Sequence, residues 1–325
     1  MFFEYALEPE LVAQWCDRTS FAAFMQRFGI DARRIVSRFP KRWERSVEDA
    51  FLQKYPSPSF AQKQRKTQII SYLTKRMVRR GSTNFKNDIS WLENAEVEHT
   101  HRPFGGIVAS SNPRRNNAVV VVCSADDILE KFDQLPQGTR EVARTANEMS
   151  SALAPLLRCC EVAVFVDPHF DAVQRFLAPF RLFMDELVVN RVSISSPQIQ
   201  LHVAVVNQLN PALELHQANQ VLARLGKALP MLIPRGHDVR IVVWKEKLRG
   251  QKLHNRYLLT DIGSVSLGTG LDCNDESFNQ DIPQAQTDDI FCLSEIHQDK
   301  RWCEYVTGQS FEKVNELVIA GNRIV

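Results

Sequence analysis

The sequence predicts an α/β protein: a layered mixed sheet flanked by helices over residues 150–325, preceded by a mainly α-helical basic domain. Strands and helices alternate regularly after residue 150, as in sheet-and-helix layer folds. Residues from 8 to 95 instead show apolar positions at helical spacing with basic residues between them. The charge is also unevenly spread. The chain of 325 residues carries a net +2, yet residues 31–90 hold fifteen Lys/Arg against five Asp/Glu, a local +10 that leaves −8 elsewhere. Such asymmetry is the footprint of a polyanion-binding segment.

In the N-terminal part, Glu8-Pro9-Glu10 opens a helix, and Ala32–Phe39, Arg42–Gln53 and Ser59–Arg80 read as further helices. Tyr55-Pro-Ser-Pro-Ser59 is a loop and Gly81-Ser82 a stop. This domain is placed at residues 1–97, with Arg65, Lys66, Lys75, Arg76, Arg79 and Arg80 as its nucleic-acid-binding residues. A solvated basic face is the plainer account of such a run. Trp43, Tyr55, Phe60 and Tyr72, interleaved with the cations, favour nucleic acid.

Residues 98–149 read as a connector. Phe104–Ser110 and Ala118–Ser124 form a hairpin around Ser-Asn-Pro-Arg-Arg-Asn-Asn, and Asp126–Phe132 and Arg140–Leu157 are helices. From there the strands are Glu161–Val166, Ile199–Val206, Asp238–Trp244, Leu253–Thr260 and Ser264–Gly268, with Asp289–Ser294 last. The helices are Phe170–Val188, Pro211–Leu229 and, to close, Lys300–Leu317. Asp167-Pro168-His169 ends the first of these strands, where α/β sheets often place functional groups; a strand-to-helix turn explains it equally well.

Composition narrows the class. An apolar fraction of 44% and a charged fraction of 24% suit an ordinary soluble domain large enough for a real core. No apolar run reaches the length of a membrane helix, and the opening MFFEYALEPE lacks a basic leader, so a cytoplasmic protein is expected. The seven cysteines form no CxxC pair, so neither a zinc site nor a disulfide framework is expected. His99 and His101 stand at strand spacing but lack a third ligand, so no metal or cofactor is assigned.

The segment Leu253-His-Asn-Arg-Tyr-Leu-Leu-Thr-Asp-Ile-Gly-Ser-Val-Ser-Leu-Gly-Thr269 carries the chemistry. Strand alternation puts His254 and Arg256 on one face. A three-residue turn Asp261-Ile262-Gly263 sets Arg256 opposite Gly268 and His254 opposite Gly270. An imidazole, a guanidinium, a close-approach glycine and the Thr269 hydroxyl together form what phosphate chemistry requires.

The spacing of His254, Arg256, Asp261, Gly268 and Thr269 resembles the H-x-[K/R]-x4-D-x6-G-[S/T] motif of the phospholipase D superfamily. The resemblance covers residues 150–325. It implies metal-independent phosphodiester hydrolysis through a phosphohistidine. His254 would be the nucleophile, Arg256 with Asp261 would complete the motif, and Gly268 and Thr269 would hold phosphate. It also implies a carboxylate before the last strand to orient the imidazole, here Asp288 in preference to Asp289. Single-motif members are mostly nucleases that dimerise to bring two motifs together, so a homodimer acting on DNA or RNA is expected, with a further protein partner and a role in restriction or phage defence by analogy. The family's lysine is Arg256 here, its serine Thr269, and its asparagine Leu271. Arginine keeps the charge and the bidentate phosphate contacts. The departures favour an alternative, a catalytically inactive binding or assembly subunit; a lipid phosphodiesterase is a third option with no membrane segment behind it.

Overall fold

Short apolar runs, buried on both sides, build the N-terminal half around a sheet. The computed structural model describes residues 2–75, 77–80, 84–122, 140–206, 210–247, 252–274, 287–307 and 309–325. Contacts divide the chain into two units, Phe2–Gln137 with Val192–Ser195, and Gly138–Arg191 with Ser196–Val325.

In the N-terminal unit, β1 (Phe3–Leu7) lies between β2 (Arg34–Val36) and β3 (Gly106–Ala109), with β4 (Val120–Val122) outside β3. All three pairings are parallel. Helices α1 (Pro9–Gln14), α2 (Arg18–Arg27), α3 (Trp43–Lys54), α4 (Phe60–Thr74) and α5 (Trp91–His101) accompany the sheet. Trp15, Phe24, Phe28, Trp43 and Phe51 fill the core beside Tyr5 and Leu7 of β1. The mainly helical domain expected at 1–97 is therefore an α/β unit that also takes in most of the supposed connector. Phe3–Leu7 and Arg34-Ile-Val are largely buried parallel strands, too short to show a period and interrupted by the buried charges of Glu4 and Arg34.

The hairpin expected between β3 and β4 is also corrected, since Ile107 pairs with Val120 and Val108 with Val121 in parallel. Successive turns in the loop reverse the chain twice: Arg115 N donates to Asn112 O, and Val119 N to Asn116 O. The chain thus returns in its original direction.

The larger unit is one eight-stranded sheet. It contains β5 (Arg140–Ala143), α6 (Ala146–Cys159), β6 (Val162–Val166), α7 (Gln174–Met184), β7 (Gln198–Ala204) and α8 (Pro211–Ala228). These are followed by β8 (Asp238–Glu246), β9 (Arg256–Thr260), β10 (Ser264–Leu267), β11 (Thr287–Cys292), α9 (Glu295–Tyr305) and β12 (Phe311–Ala320). The strand order is β12-β8-β7-β6-β9-β10-β11-β5. Only β6, β7 and β8 run parallel to one another; every other pairing is antiparallel. On one face Phe165 packs on Phe180 and Phe183; on the other Tyr257 packs on Tyr305 and Phe311 completes the cluster. The α/β class thus holds in both units. Among the described residues, no helix is long and apolar enough to cross a membrane.

Two expected helices are corrected here. Arg140–Ala143 is a strand on β11, because Thr145 caps the helix behind it by accepting the Glu148 N–H. Residues 311–320 are a strand along β8, not the end of a helix. Val314, Val318 and Ile319 are β-branched, and the strand's exposed edge carries charges that mimic helical spacing. The helix expected at Asp126–Phe132 lies outside the described residues.

Candidate functional site

Five strands of the larger sheet meet at one edge. β6 ends there in Asp167-Pro168-His169, β10 ends in Gly268-Thr269, β5 ends in Arg144, and β9 and β11 begin there. It is the carboxyl edge of the parallel strands, where open α/β sheets bind ligands. Val166 pairs with Tyr257, so the next residues outward are Asp167 and Arg256.

The β9–β10 turn differs by one residue from expectation. Ser264 pairs with Leu259 and Leu267 with Arg256, so the turn is the two-residue Asp261-Ile262. Thr260 closes it: its N–H donates to Gly263 O at 3.2 Å, and its Oγ1 accepts the Gly263 N–H at 3.2 Å. The same count brings Thr269, not Gly270, level with His254.

Gly270 has another role. Its φ of 132° is one that side chains disfavour, and a Cβ there would meet Asp167 Oδ2 at 2.9 Å, Asp272 Oδ1 at 3.1 Å and Arg256 Nε at 3.7 Å. The loop after β10 thus crosses directly over a charged cluster. Asp167, 1% exposed, accepts the Leu271 N–H on Oδ2 at 2.8 Å and the His169 N–H on Oδ1 at 2.9 Å. Burial raises its pKa above the usual carboxylate value, against the lowering effect of those two N–H groups and of Arg256. Asp272 is held by Arg144, which also donates to its carbonyl at 2.7 Å, while Arg175 Nε stands 3.9 Å from its Oδ2. Arg144, Arg175 and Arg256 thus stand among the carboxylates of Asp167 and Asp272, with Asp289 on the neighbouring strand level with Gly268.

Arg256 is half-buried; its Nε is buried without a hydrogen-bond partner, and no ion pair engages it among the described residues. His254 is exposed at the mouth of the edge, as is His169. Gly268 and Thr269 are exposed beside them. The Leu271 side chain is fully buried. An unpaired donor on a cation, flanked by an exposed imidazole, suits an anion with several oxygens.

The structure separates other candidates from this group. Asp261 sits at the opposite end of β9, about 16 Å from Arg256 at strand rise. Its Oδ1 accepts the Glu161 and Val162 N–H groups at 2.8 and 3.0 Å. That is a backbone tie, and Asp261 is removed from the catalytic set. Asp288 lies in β11 with its backbone paired to Val142; its side chain, like the whole of Arg76, is outside the described residues.

Of the basic residues, Lys75 and Arg79 are exposed, whereas Lys66 pairs with Glu48 and lies over the Phe51 ring. Arg65 donates to Cys16 O at 3.2 Å. Arg80 is no interface residue. Its side chain is fully buried, bonded to Glu4 at 2.7 Å and Glu98 at 2.9 Å, and stacked on Phe104. His99 and His101 fall on α5, not a strand, and His99 Nδ1 accepts the Phe104 N–H at 3.1 Å. No cluster of three or more potential metal ligands occurs among the described residues.

Arg144, Arg175 and Asp272 escaped sequence reasoning. Their contacts join distant segments, Arg144 and Asp272 being 128 residues apart. No known family's sequence profile matches the chain, and no curated protein matches it.

Proposed function

We propose that the larger unit is a phosphodiesterase acting on nucleic acid, with His254 as nucleophile and Arg256 as the principal phosphate ligand. The observation that carries this reading is the exposed His254 two residues before a half-buried Arg256 whose Nε lacks a partner, at the carboxyl edge of the parallel strands. His254 attacks phosphorus, the bond from phosphorus to the leaving oxygen breaks, and that oxygen takes a proton from a second histidine. Water, deprotonated by the second histidine, then displaces the phosphoryl group and regenerates His254. The second imidazole comes from another copy of the chain in a homodimer. Arg256 and the Gly268-Thr269 backbone offset the oxyanion charge, so the step calls on no metal. Lys75 and Arg79 remain as exposed contacts for the polymer. Such an enzyme fits a cytoplasmic role against foreign nucleic acid.

The test compares wild type with His254→Ala on DNA and RNA in EDTA. Cleavage should persist with chelator, vanish in the variant, and leave an acid-labile phosphoryl label on trapped wild-type protein. Cleavage that needs metal, or survives without His254, overturns the mechanism. A second reading, a non-catalytic nucleic-acid-binding subunit, is favoured by the burial of Leu271, which supplies no polar group where the resemblance has an amide. Binding without turnover in both wild type and Arg256→Lys would establish it.

A further inference from the structure

The chain leaving the carboxyl end of β2 lines a cavity of about 540 Å³, within the range of small-molecule sites. Arg38, Lys41, Arg42 and Arg79 line it, and among the described residues no carboxylate does. Arg80 also reaches it, but its charge is already met by Glu4 and Glu98. Arg38 pairs with Glu44 through one terminal nitrogen, while its Nε is buried without a partner. Lys41 and Arg42 are exposed and have no carboxylate partner among the described residues. Pro40, Ile194 and Phe85 add apolar lining beside Asn87, and the Phe85 ring is held edge-on by Phe39 at 5.6 Å.

A concave site lined by both cations and an aromatic ring matches a ligand that joins a flat apolar group to a phosphate. Bare inorganic anions would leave the apolar lining idle, and an apolar ligand would leave the guanidiniums unpaired. The start of α3 contributes Arg42 and Ser46 to the lining, and the Glu44 of its first turn is taken up by Arg38. We propose that this cavity of the N-terminal unit binds a nucleotide, with the base against Phe85 and the phosphate on Arg38, Lys41 and Arg42. The nucleotide is either free or one unit of a strand. The assignment is independent of turnover at His254.

The experiment titrates the full-length protein with ATP, inorganic phosphate and a short single-stranded oligonucleotide. ATP should bind, inorganic phosphate more weakly, and a Lys41→Ala/Arg42→Ala variant should bind ATP at least about tenfold more weakly with an unchanged unfolding midpoint. Phe85→Leu should weaken ATP but not inorganic phosphate. If the oligonucleotide shows this dependence and ATP does not bind, the nucleotide belongs to a strand. The proposal is overturned if neither binds, if the double variant binds unchanged, or if inorganic phosphate binds as tightly as ATP. Should the double variant lower the midpoint, Phe85→Leu and the single Lys41→Gln carry the same test.

Discussion

Asp261 Oδ1 accepts the Glu161 N–H at 2.8 Å, and the same oxygen accepts the Val162 N–H at 3.0 Å. The turn between β9 and β10 is thereby tied to the first residues of β6. Replacing Asp261 by Ala orphans both donors at the start of a central strand, so unfolding in urea should show a loss of about 2–4 kcal/mol. Asn keeps one acceptor oxygen and should lose less. In the fraction that remains folded, phosphodiester turnover should equal wild type, because the site lies at the other end of β9. A stable Asp261→Ala protein with no turnover would restore the residue to the catalytic set.

Gly270 controls the opposite end. Its φ of 132° and the 2.9 Å separation of a Cβ from Asp167 Oδ2 leave no room for alanine without moving the loop that carries Leu271 and Asp272. Gly270→Ala should cost about 1–3 kcal/mol in thermal or urea unfolding. It should also reduce turnover of bis(p-nitrophenyl) phosphate, since Arg256 Nε borders the same space. Wild-type stability and turnover in this variant would show that the loop does not depend on the positive φ.

The parts legible in sequence were those with local signals. The β6-α7-β7-α8-β8 alternation and the β9–β10 hairpin follow from periodicity, and the placing of His254 and Arg256 at one end of that hairpin from strand alternation. The hairpin register slipped by one because the Thr260 hydroxyl, not a glycine, closes the turn, and hydroxyl bonds leave no period. Residues 311–320 looked helical because an edge strand with a bulge between Lys313 and Asn315 breaks strict alternation. β1 and β2 offered too few residues for a period. The Arg144–Asp272 pair and the burial of Arg80 are products of topology, so the +10 segment overstated its free charge.

Arg80 gives a direct check on that point. Its guanidinium meets Glu4 and Glu98 and donates to the Arg102 carbonyl at 2.7 Å, all away from solvent. Arg80→Ala would take the cation from buried Glu4 and leave Glu98 with Arg102 alone, so a loss of about 3–5 kcal/mol is expected by urea unfolding. A surface contact would cost within about 0.5 kcal/mol instead. An Arg80→Ala protein of wild-type stability that has lost only nucleic-acid affinity would return Arg80 to the interface.

His202 sets how the larger unit responds to acid. It is 1% exposed in β7, bonded through Nε2 to Gln200 Oε1 at 3.1 Å and set 5.6 Å from the Trp244 ring. Burial, with Arg240 adding to it, holds its pKa down to about 3 against a usual 6.5. Between those values the unfolded chain binds a proton that the native state refuses, so stability rises with pH across the window. The contribution is complete above pH 6.5 and is lost as pH falls toward 3. The slope from this one group approaches about 1.4 kcal/mol per pH unit. His202→Gln removes the titrating group, so its unfolding free energy should fall less steeply than that of wild type between about pH 4 and pH 6.5. The comparison of slopes holds even where glutamine lowers stability at neutral pH. Parallel curves for the two proteins would mean that His202 accepts a proton in the native sheet.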